Sequence, residues 1–68
     1  MTLAKRSFSL SGHRTSVALE AEFWSALVAI AERRGQPLSA LVAAVDAQRA
    51  PGENLASKLR ILCLHNAD

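Results

Sequence analysis

One cysteine, two prolines, three glycines and no tyrosine among 68 residues leave few of the devices that hold short chains together. The lone thiol, Cys63, excludes an internal disulfide. Cys63, His13 and His65 fall in no C-x-x-C or H-x₃₋₅-H spacing, so no metal site is expected. No apolar run approaches the ~20 residues a membrane span requires. Residues 1–19 are interrupted by Ser, Lys, Arg and Gly and lack the apolar region of a secretory signal. With the single thiol, this reads as a protein of the reducing cytoplasm. No Ser-His-Asp arrangement is legible, and Asp46 reads as a helix-surface residue. A pocket of the usual few hundred Å³ is hard to build from so few residues. The chain is therefore expected not to be an enzyme, to take no small-molecule substrate and to hold no cofactor.

What the chain does have is apolar surface. Half of its residues are hydrophobic, mostly alanine and leucine. A domain this short buries only about 60% of the surface its unfolded chain exposes. Such an excess of apolar residues in a single domain over residues 1–68 points to self-association, most simply a two-fold dimer. The charge is unevenly placed. Residues 1–19 carry Lys5, Arg6 and Arg14 and no acid, whereas residues 20–68 carry five basic and six acidic side chains. A basic segment on a near-neutral body suggests a polyanionic partner, against the plainer reading of a solubilising tail.

The hydrophobic period changes along the chain. Residues 7–11 and 14–19 alternate with period two, as a strand does. Phe8 and Leu10 lie on even positions, Val17 and Leu19 on odd ones. The favoured reading is a single strand over 14–19 behind a basic arm, residues 1–13. The alternative is a hairpin turning at Gly12-His13, with Leu10 opposite Thr15 and Phe8 opposite Val17. Either places Thr15, Val17 and Leu19 on one face and Arg14, Ser16 and Ala18 on the other. Period-3.6 stripes then mark three helices. Residues 21–34 carry Phe23, Trp24, Leu27 and Ile30, and Gly35 closes the helix. Residues 37–49 carry Leu38, Leu41, Val42 and Val45, with Pro37 at the first position. Residues 54–66 carry Leu55, Leu59 and Leu62, with Asn54 as cap and Ile61 and Leu64 off the stripe.

A lone short strand is unstable in water and must pair. Its partner is either the upstream segment or the same strand of a second subunit. The second choice gives an antiparallel ribbon, which fits the major groove of B-DNA.

The run Arg14-Thr15-Ser16-Val17-Ala18-Leu19-Glu20, then an apolar helix, then Arg33-Arg34-Gly35-Gln36-Pro37-Leu38-Ser39-Ala40-Leu41-Val42, resembles the ribbon-helix-helix family. Together with Lys5-Arg6-Ser7, Gly12-His13 and Phe23-Trp24, it is similar to a small bacterial subfamily of ribbon-helix-helix domains, over about residues 5–49. The third helix reads as an extension of that unit. The resemblance implies a mostly α fold, an intertwined homodimer with an intermolecular antiparallel β-ribbon. It implies a DNA-binding transcriptional regulator, dimeric and in some assemblies tetrameric on DNA. Arg14, Ser16 and Ala18 would face bases. Lys5, Arg6, His13 and the helix start at Leu38 and Ser39 would hold phosphates. Thr15, Val17, Leu19, Phe23, Trp24, Leu27, Leu41 and Val45 would form the dimer core. Ala18 departs from the polar residue common in the family, and Pro37 from its usual Ser or Thr. An antitoxin-like interaction scaffold, docking through Ile61 and Leu64, is the other reading of the same resemblance.

Overall fold

The computed structural model describes residues 2–66. Strands β1 (Leu3–Leu10) and β2 (His13–Glu20) are followed by helices α1 (Ala21–Arg33), α2 (Leu38–Gln48) and α3 (Leu55–His65). The two strands form one antiparallel sheet, paired from Leu3–Glu20 through to Leu10–His13. The favoured single strand is thus corrected. Residues 13–20 pair with residues 3–10 of their own chain, because Phe8 and Leu10 have core to fill beside Val17 and Leu19. β2 keeps its other edge open.

The turn is corrected as well. It is Ser11-Gly12, with φ of 50° and 81°, and not Gly12-His13. Positive φ at both central residues is the type I′ geometry whose twist matches the flanking strands, with glycine second. The register therefore slips by two residues from expectation, placing Phe8 opposite Thr15 and Arg6 opposite Val17. A slip of two preserves the faces, where a slip of one would invert them. Phe8, Leu10, Val17 and Leu19 all point into the core.

Helix α1 buries Trp24, Leu27, Ile30 and Ala31. Its end is a Schellman motif: Gln36 N–H donates to the Ala31 carbonyl at 3.0 Å and Gly35 N–H to Glu32 at 3.0 Å. Gly35 takes φ 67°, which a side chain would oppose. Pro37 lies one place earlier than expected. It is the N-cap of α2 in extended conformation, and the helix starts at Leu38. In the following loop Arg49 donates to Asp46 Oδ1 (2.8 and 3.1 Å) and to the Glu53 carbonyl (2.9 Å). Asn54 Oδ1 then accepts from Ser57 N–H at 3.1 Å and caps α3.

Helix α3 belongs to the same core. Leu55, Leu59 and Cys63 are buried with residues of both strands and of α1 and α2. Arg60 binds Glu20 Oε1 (Nη2 at 3.1 Å) and lies 5.8 Å from the centre of the Phe23 ring. Val17, Leu19, Trp24, Leu27 and Leu41, expected in a dimer core, are already buried within one chain. Phe23 and Val45 pack partly against the same cluster, and Thr15 is half-exposed.

Two carboxylates at these joints are held below the ordinary range. Glu20 is lowered first by its own backbone amide and then by Arg60. Glu53 is lowered first by the Ala50 N–H, at 2.7 Å, and then by Lys58. A carboxylate depressed in the folded state stabilises above its unfolded pKa of about 4.3, and the contribution fades as pH falls through the folded value. The melting temperature is therefore expected to drop as pH is lowered from about 5 toward 3. Glu20→Gln with Glu53→Gln should flatten that slope in thermal melts; an equally steep slope would remove these two groups as its cause.

Candidate nucleic-acid interface

The pleat sorts the hairpin into two unlike faces. Beneath lie Phe8, Leu10, Val17 and Leu19, covered by the helices. On the outer face the register sets Lys5 beside Ala18, Ser7 beside Ser16 and Ser9 beside Arg14. Of these six, all but the half-exposed Ala18 are exposed. Two side-chain bonds cross the strands here: Ser7 Oγ to Ser16 Oγ at 3.2 Å, and Arg14 Nη1 donating to Ser9 Oγ at 3.2 Å. The face thus carries two cations and three hydroxyls. Its only acid, Glu20 at the far end, is engaged by Arg60. It therefore offers hydrogen-bond donors and positive charge to an acceptor-rich, anionic surface.

The expected site residues are distributed as follows. Arg14, Ser16, Ala18 and Lys5 share this outer face. Arg6 does not. It lies opposite Val17 on the helix side, its guanidinium 5.2 Å from the centre of the Trp24 ring. Alternation along β1 sends Arg6 and Lys5 to opposite faces, and the indole offers the exposed Arg6 guanidinium a cation–π seat. His13 is exposed at the ribbon tip on the parity of Leu10. At the start of α2, Pro37 makes no side-chain cap and Ala40 N–H turns back to the Pro37 carbonyl at 3.0 Å. The amides of Leu38 and Ser39, as the first of the helix, have no intrahelical partner.

Ser7 and Ser9 had no assigned role in the sequence. Their signal was the alternation Ser7-Phe8-Ser9-Leu10, which becomes informative only once β1 is known to pair. Among the described residues no three His, Cys, Asp or Glu side chains gather to hold a metal ion. Cys63 is buried, and burial pushes its thiol up. No helix among the described residues is long and apolar enough to cross a membrane.

A two-stranded ribbon, polar outside and apolar beneath, followed by packed helices defines a class. The model of the family described as "Ribbon-helix-helix domain" matches residues 3–67, and the chain belongs to that family. The match takes in β1 and α3, so the third helix is part of the family unit and not an extension beyond about residue 49. No curated protein and no solved structure matches the chain.

Proposed function

We propose that this chain is a sequence-specific DNA-binding protein, a transcriptional regulator, that places the outer face of its ribbon in the major groove. The observation that carries the reading is that face itself: exposed, basic and rich in hydroxyls, backed by one whose Phe8, Leu10, Val17 and Leu19 are buried. Family membership supports it, because ribbon-helix-helix domains in general bind DNA. Two strands about 4.8 Å apart fit a groove about 12 Å wide. Arg14 and Ser16 face base edges, and Ala18 a thymine methyl. Lys5, His13 and the amides of Leu38 and Ser39 hold phosphates, the last two at the positive end of a helix dipole. The working form is a homodimer, in which the open edge of β2 and the half-exposed Thr15 meet a second copy, and the central pair of β2 strands is the one that enters the groove. Neighbouring dimers assemble into tetramers on DNA. Its place is the cytoplasm.

Duplex binding should weaken steeply with salt. Four to eight neutralised phosphates per dimer give a log–log slope of roughly −4 to −7. Fluorescence anisotropy with a labelled duplex between 50 and 300 mM salt measures it. A slope near zero, or no binding at low salt, sinks the proposal.

A second reading has its own observation. Ile61 and Leu64 on α3 are 46% and 66% exposed, large apolar side chains one turn apart. An antitoxin-like scaffold would dock a protein partner there. Failure of a heparin column to retain the chain at low salt would favour it.

A further inference from the structure

We propose that Ser9 is a positioning residue that sets how Arg14 reads DNA, so that the reading head is built from both strands of one chain. The inference rests on the DNA-binding reading above and adds to it a specificity determinant on β1. Ser9 and Arg14 are directly opposed across the hairpin. With a two-residue turn, Leu10–His13 is the hydrogen-bonded pair next to the loop, so Ser9–Arg14 is a non-hydrogen-bonded pair. Such pairs bring side chains closest, with Cα atoms about 4.5 Å apart. Arg14 Nη1 donates to Ser9 Oγ at 3.2 Å, and both residues are exposed.

An exposed arginine is long and rotameric, and ordering it at a base edge costs entropy. The Ser9 hydroxyl engages one terminal nitrogen and holds the guanidinium over the ribbon. Nη2 and Nε stay available as a parallel pair of donors, the arrangement that matches guanine O6 and N7. Serine suits this role because its hydroxyl accepts without adding charge. The neighbouring pair, Ser7–Ser16 at 3.2 Å, fixes the hydroxyl that flanks Arg14 on its own strand.

The test compares wild type, Ser9→Ala and Ser9→Thr in selection from a random-sequence duplex pool. Affinity for unselected random duplex is measured in parallel. Ser9→Ala is expected to relax guanine preference at the Arg14 position by about threefold to tenfold, the worth of one hydrogen bond. Its affinity for random duplex should hold, and Ser9→Thr, which keeps the hydroxyl, should select as wild type does. Unchanged preferences in Ser9→Ala overturn the proposal while leaving DNA binding intact. So does a uniform loss on every sequence, which would make Ser9 a backbone contact. Absence of duplex binding by wild type overturns both readings.

Discussion

Trp24→Ala is expected to lower the unfolding free energy by about 3–5 kcal/mol, the typical cost of emptying a large aromatic site. A 68-residue chain holds only about 3–10 kcal/mol in total. The variant should therefore be largely unfolded at 37 °C. Trp24 is 2% exposed, and it joins α1 to β1. Its ring lies 5.9 Å from that of Phe8 on β1, tilted by 35°. Its Nε1–H donates to the Ala4 carbonyl at 2.7 Å. Arg6 covers it from the helix side of β1. Removing the indole thus costs area, one hydrogen bond to strand backbone and the seat of a cation. Trp24→Phe separates these, since it keeps most of the area and loses the donor. It should cost about 1–2 kcal/mol, between wild type and alanine. Urea unfolding followed by far-ultraviolet circular dichroism measures all three, the indole fluorophore being absent in the variants. A loss below about 1 kcal/mol in Trp24→Ala would mean that the ribbon is not anchored to α1 through this side chain.

The same contacts explain which parts of the fold were legible in the sequence. The three helices announce themselves by stripes such as Leu55, Leu59 and Leu62, and their ends by Gly35 and Asn54, whose effects are local. The sheet faces were legible too, because period two fixes them whatever the partner. Pairing was not. Whether the strand pairs with the chain's own residues 3–10 turns on whether Trp24 and Phe8 meet, a contact across sixteen residues that periodicity does not encode. The turn depended on Ser11 accepting φ 50°, a conformation for which serine gives no strong signal. The side taken by Arg6 was illegible for the same reason: as part of an arm it is simply a cation, and only as a strand residue does it acquire a side. Arg14 kept its expected side because it lies on the polar parity of its strand, whereas Lys5, like Arg6, acquires a side only once β1 pairs.

Arg14→Ala is expected to cost sequence discrimination far more than bulk affinity. A bidentate contact to guanine is worth about 1–3 kcal/mol of discrimination, and a two-fold dimer presents it twice, so a full site loses about 2–6 kcal/mol. A role limited to phosphate predicts something different. Two lost contacts per dimer would flatten the salt slope by about 1.8 and weaken all sequences alike. Arg14 is exposed and makes one side-chain bond, to Ser9, so folding should be nearly unaffected. Arg14→Lys sharpens the distinction, because it restores the charge without the planar fork. It should recover affinity for random duplex and leave discrimination lost. Competition assays with a selected duplex and its single-guanine substitutions, run at two salt concentrations, give both quantities. An unchanged specificity ratio in Arg14→Ala would show that this side chain does not read bases, and the outer face would then be a phosphate-binding surface.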